Sequence, residues 1–119
     1  MEIKAHEVNG TQIAEVTSEN RIIANPEDAL DLLGNMYYQG FDKIIIHEKN
    51  ITPDFFDLKN GIAGEILQKF SNYRVQLTII GDFSAYESKS LRDFMFESNK
   101  LGHINFVGSV SEALHKLTN

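Results

Sequence analysis

Hydrophobic and polar residues alternate through IKAHEV and TQIAEV, and Asn9-Gly10 between them supplies the two positive-φ residues of a type I′ turn, so the chain opens on a β-hairpin. A short apolar piece at residues 22–24 predicts a further strand. Asn25-Pro26-Glu27-Asp28 then provides an N-cap, a first-turn proline and two acids at the positive end of a helix dipole, starting a helix at Pro26. Ala29, Leu30, Leu33, Met36 and Tyr37 recur at helical spacing, and Gly40 is its natural stop. KIIIH at residues 43–47 and VQLTII at residues 75–80 are continuous apolar runs, the pattern of parallel strands covered on both faces. Ser88 caps a helix whose Leu91, Phe94, Met95 and Ser98 share one side, with Gly102 past its end. Residues 103–107 form another strand, and Ser109 with Glu112 has capping-box spacing ahead of Ala113, Leu114 and Leu117 in a short last helix. Two strands followed by strand-helix units predict an α/β fold: a mostly parallel sheet with right-handed β-α crossovers, extended at one edge by the N-terminal antiparallel hairpin.

Between the two buried strands lies ITPDFFDLKNGIAGEILQKF, residues 51–70. On one helical wheel at about 100° per residue, Phe55, Phe56, Ile62, Ala63, Ile66, Leu67 and Phe70 fall in one arc. Lys59 falls in the same arc, and Gly61 costs about 1 kcal/mol relative to alanine inside a helix. The expectation is therefore a capped turn at Thr52-Pro53-Asp54, a break near Lys59 to Gly61, and a main helix capped by Asn60. Gly64 is placed on the exposed side. Phe55 and Phe56 either pack in the core or form an apolar tip beside Asp54 and Asp57. On the following helix Phe96 lies opposite Leu91 and Met95; packing against a neighbouring element is expected, and exposure would mark a partner surface.

With 119 residues, 42% of them hydrophobic, the chain suits one domain, residues 1–119. Its 17 acids against 11 unclustered bases, net -6, exclude general binding of nucleic acid through the phosphate backbone. Cysteine is absent, which removes disulfides and thiolate metal sites, and MEIKAHEVNG has no signal-peptide core. No apolar run approaches the ~20 residues of a membrane span. A cytoplasmic protein without membrane contact is expected.

Ligands of an open parallel sheet sit beyond the carboxyl ends of its strands. His47, Glu48, Asp54 and Asp57 follow one strand there, and Asp82, Ser84 and Tyr86 the next. His47, Glu48, Asp82 and Ser84 are the ligand-binding candidates. Convergence of His47, Glu48 and Asp82 would suit a divalent cation, but adjacent strand residues point to opposite faces and no H-x-x-x-H spacing occurs. No metal is expected. Ser84 or Ser88 with His47 lacks a G-x-S-x-G elbow, and no phosphate-binding glycine loop is present. Asp82 and Ser88 read equally as loop and helix caps, and His6, His103 and His115 are scattered one per element.

Two resemblances follow from these motifs. ITPDFFDLKNGIAGEILQKFSNY, IIGDFSAYESKSLRDFMFESNK and INFV resemble the bacterial domain-of-unknown-function family 4180, a likeness covering nearly the whole chain that implies a fold and no activity. More distantly, the chain length and strand-helix order resemble STAS, or anti-sigma-factor-antagonist-like, domains. There a hairpin precedes the alternating units and a motif similar to D-S-S-G-L-G opens the helix after the central strand. Asn60 to Leu67 occupies the comparable place, and SKSLRDFMFESNKLGHINFVGSVSEAL is similar to the closing helix, strand and S-V-x-E-A-L start. Phosphoswitch members carry a serine where this chain has Lys59 and Asn60, so the resemblance implies a docking surface without that switch.

The expectation is thus a non-enzymatic STAS-like interaction or regulatory module without a cofactor. It binds a protein partner through Thr52, Asp54, Phe55, Phe56, Asp57, Lys59, Asn60 and Gly61. The alternative is a small-molecule or metal-dependent enzyme using His47, Glu48 and Asp82. The hairpin edge either pairs with a second copy as a homodimer or is blunted by Glu2, Lys4 and Glu15.

Overall fold

The structure, a computed structural model, describes residues 1–118. Strands β1 (Glu2–Val8) and β2 (Thr11–Thr17) form the hairpin, with Asn9 and Gly10 both at positive φ in the turn. Helix α1 (Pro26–Tyr38), strand β3 (Lys43–His47), helix α2 (Ile62–Tyr73), strand β4 (Gln76–Ile80), helix α3 (Lys89–Leu101), strand β5 (Ile104–Val107) and helix α4 (Val110–Thr118) follow. The strands lie side by side in chain order, β1 antiparallel to β2 and all later neighbours parallel. The α/β architecture is the one the patterning predicts.

Chain order decides the layers. Right-handed crossovers between successive neighbours carry each connecting helix to the same face. Accordingly Ala29, Leu33 and Met36 of α1, Ala63, Ile66 and Phe70 of α2, and Leu91 and Met95 of α3 share one core with Ala14, Val16, Ile44, Ile46, Leu77, Ile79, Ile104 and Phe106. Helix α4 folds to the opposite face, where Ala113 and Leu117 pack with Ile13 and Ile45. The period of two in each strand divides the faces: Ile44 and Ile46 point to the three-helix side, Ile45 to α4.

Two expectations need correction. Residues 22–24 do not form a strand; Ile23 makes one isolated parallel bridge with Ile51. The backbone N–H groups of Ile22 and Ile23 both donate to the Asn50 carbonyl, at 2.7 and 3.0 Å, and Asn25 already caps α1 through the Asp28 N–H, so no length remains for a ladder. Phe96 does not pack against a neighbour. It is 61% exposed, with the Lys100 ammonium 4.5 Å over its ring, because the stripe of Leu91, Met95 and Ser98 is the one that faces inward.

Asn50 ties the hairpin to the rest. Register pairing between β2 and β3 is confined to Ala14 with Ile44 and Glu15 with Ile45. Past it, the fully buried Asn50 side chain donates to the Ser18 and Asn20 carbonyls, each at 2.8 Å, and Thr52 N–H donates to the Ile23 carbonyl at 2.8 Å. Replacing Asn50 with alanine removes both bonds, and we expect Asn50→Ala to cost about 1–3 kcal/mol in urea unfolding. Gly64, inside α2 at negative φ, has nothing within 4 Å of the place a Cβ would take; Gly64→Ala should therefore raise stability by about 1 kcal/mol, and a loss would mean the exposed side of α2 is occupied.

Candidate functional site

The connection from β3 to α2 is a chain of single 3-10 turns, Glu48–Asn50, Pro53–Phe56 and Leu58–Asn60. Short polar side chains close the last two. Thr52 Oγ1 accepts from the Asp54 N–H, Asp57 Oδ1 from the Lys59 N–H, and Asn60 Oδ1 from the Ile62 N–H at 3.0 Å, while Asn60 Nδ2 donates to the Asp54 carbonyl at 2.8 Å. Gly61, at φ 78°, makes the left-handed step that separates the last turn from α2. The predicted break is present, and Gly61 rather than Asn60 occupies the cap position, with Asn60 supplying the side-chain acceptor.

Phe55 and Phe56 hold this segment from beneath, both buried. Their rings lie 5.0 Å apart edge to face, Phe55 reaches Phe106, and Phe56 stacks on Tyr86 at 4.9 Å. Phe83 joins Phe56 and Phe106, so the aromatics at the carboxyl ends of β3, β4 and β5 form one connected group. Of the residues expected to touch a partner, Thr52, Phe55 and Phe56 are buried and build the segment. The outer surface belongs to Asp54, Asp57, Lys59, Asn60 and Gly61. The apolar-tip alternative is thereby corrected: aromatic packing draws both rings inward.

Beside this segment is an open hollow of about 330 Å³. Buried Ile51 and Phe56, with Pro53, give it an apolar floor; Glu48 and Tyr86 form a wall, and exposed Arg21 and Lys49 stand at its rim. The Tyr86 hydroxyl donates to Glu48 Oε2. Burial first, then that hydrogen bond and the carboxylate's charge, push the Tyr86 hydroxyl far above its ordinary range, so it remains a donor. Glu48 also fills the space where Gly81 would carry a Cβ, which would lie 2.8 Å from Glu48 Cβ. Arg21 and Lys49 have no carboxylate partner among the described residues.

The other strand-end candidates are used separately. Asp82 Oδ1 accepts from the Ser84 hydroxyl at 2.6 Å and from its N–H at 3.1 Å, and these bonds lower the exposed Asp82 carboxyl. His47 points to the α4 face of the sheet, where its Nε2 lies 2.9 Å from Glu15 Oε2. His6 Nε2 lies 2.8 Å from Glu15 Oε1. An ionised carboxylate only accepts, so both imidazoles carry their proton on Nε2. Among the described residues no group of three or more His, Asp or Glu side chains is able to hold a metal ion.

Arg21 and Lys49 are the residues sequence reasoning passed over, and the expectation that Glu15 blunts the hairpin edge needs correction: it lies on β2 between two paired strands and is 8% exposed. The signal for Glu15 was available, because alternation in TQIAEVT puts it on the face of buried Ile13. Arg21 and Lys49 meet only through folding and left no local trace.

Burial is the largest influence on Glu15 and would raise its carboxyl; the hydrogen bonds from His47 and His6, then their charge, outweigh it and hold the carboxyl below its usual 4.5. A lowered carboxyl adds stability that is complete above the unfolded value and is lost as pH falls through the folded one. Glu15→Gln should therefore be less stable than the natural chain at neutral pH, by about 1–3 kcal/mol, and the gap should close as pH drops below 4.5. Urea midpoints at pH 7 and through the carboxyl range down to about pH 3 check this; a gap that widens below pH 4.5 would mean burial dominates Glu15.

No curated protein matches the chain. Among solved structures it is similar to a putative anti-sigma factor antagonist from Thermotoga maritima, at 12% identity and a TM-score of 0.49, covering 98% of this chain and 95% of that one. Residues 8–117 match the family described as Domain of unknown function (DUF4180), and the chain belongs to that family.

Proposed function

We propose that the chain is a non-enzymatic interaction or regulatory module that binds a protein partner through the polar crest of residues 52–61. What carries the reading is the way that crest is made. Each of its last two turns is closed by a side chain of its own, and the buried Phe55 and Phe56 anchor it, so Asp54, Asp57, Lys59, Asn60 and Gly61 are displayed on backbone already ordered before any encounter. A surface fixed in advance loses less conformational freedom when it docks. The enzymatic alternative draws no comparable support: His47 is held by Glu15, Glu48 by Tyr86, and Asp82 by Ser84.

Lys59 is exposed, and its side chain makes no bond within the crest, so Lys59→Glu inverts a charge without disturbing the turns. The purified chain and this variant are each immobilised and exposed to lysate of the source cells, after circular dichroism has shown matching melts. The expected result is a retained protein that the variant captures at least about tenfold more weakly. Equal recovery by both would remove the crest as the contact.

A further inference from the structure

We infer that the hollow beside the crest receives an acidic peptide segment of the partner, with one apolar side chain seated on Ile51, Pro53 and Phe56 and flanking carboxylates held by Arg21 and Lys49. This deepens the reading of residues 52–61 as a contact region and rests on it, since Pro53 and Phe56 belong to both.

Charge complementarity selects the occupant. The chain carries a net charge of -6, yet at this hollow two cations without carboxylate partners meet over an apolar floor. One carboxylate lines the hollow, that of Glu48, and it is taken by the Tyr86 hydroxyl, which remains protonated throughout the ordinary pH range. Glu48 is further pinned against Gly81, where no side chain intervenes. Glu48 keeps its charge but is held between Tyr86 and Gly81, and the exposed Arg21 and Lys49 outnumber it at the hollow. A guanidinium matches a carboxylate by two parallel hydrogen bonds, and an ammonium adds a point charge. A volume of about 330 Å³ lies at the small end of ligand-sized cavities, which fits one bulky side chain and not a folded surface. Acidic residues elsewhere on the chain disfavour a long polyanion, so a nucleic acid is not the occupant.

The test is a titration of the full chain into the fluorescein-labelled peptide Glu-Asp-Phe-Asp-Glu, followed by anisotropy. Parallel arms use the same peptide with Phe changed to Ala, a peptide with every acid changed to Lys, and a labelled oligothymidylate. Saturable binding of the first peptide is expected, weakened by salt, about tenfold weaker for Arg21→Glu, and weaker again for Arg21→Glu with Lys49→Glu. The Ala peptide should bind several-fold less and the Lys peptide not at all. Tyr86→Phe keeps the ring on Phe56 but releases Glu48 toward the ligand, and should weaken binding about three- to tenfold although it adds no charge. No saturation by millimolar chain, undiminished binding by Arg21→Glu, or tighter binding of the oligothymidylate would each overturn the inference. Because only purified chain and synthetic peptide are used, its failure leaves the Lys59→Glu comparison untouched, and the two failures are told apart.

Discussion

The handedness of the crossovers governs this molecule. With five strands in chain order, three successive right-handed connections place α1, α2 and α3 on one face, and α4 alone is left for the other. A helix about 10 Å across spans about two strand spacings of about 4.8 Å. Helix α4 accordingly lies over β4 and β5 and reaches Ile13 and Ile45 only at its inner side. Strand β1 is mostly exposed, and beyond Ile13 the hairpin side of that face is open. Charged groups can occupy it, provided they satisfy one another, and Glu15 between His6 and His47 is that solution.

At the carboxyl end of the sheet the same economy of elements gives a different outcome. No helix closes the strand ends, so the chain closes them with rings: Phe55 and Phe56 from one connection, Phe83 and Tyr86 from the next, and Phe106 from β5. Packing on that floor lets a connection made only of single turns keep one shape, because each turn needs to supply just its own closing hydrogen bond. Stability and display are joined here, since the residues that hold the crest are not those that face solvent.

Local chemistry made much of this legible. Asn9-Gly10, the Asn25 and Ser88 caps, and the Ser109 and Glu112 pair each state an element boundary in a few residues, and the structure uses all of them. The last pair shows the limit of such reading: Ser109 accepts from the Glu112 N–H as expected, but Glu112 returns its bond to Gly108. The break at Gly61 was readable because Lys59 spoiled the apolar arc. Residues 22–24 misled because three apolar residues look the same whether they extend a ladder or merely plug its end. The hollow was not readable, because Arg21, Glu48 and Tyr86 come from three separate connections and only the sheet brings those together.

Gly81 draws a last consequence from close packing. The carboxylate arm of Glu48 lies where a β-carbon at 81 would have to go. Positions 48 and 81 are therefore one volume shared by two residues: a side chain gained at 81 demands a shorter or displaced neighbour at 48.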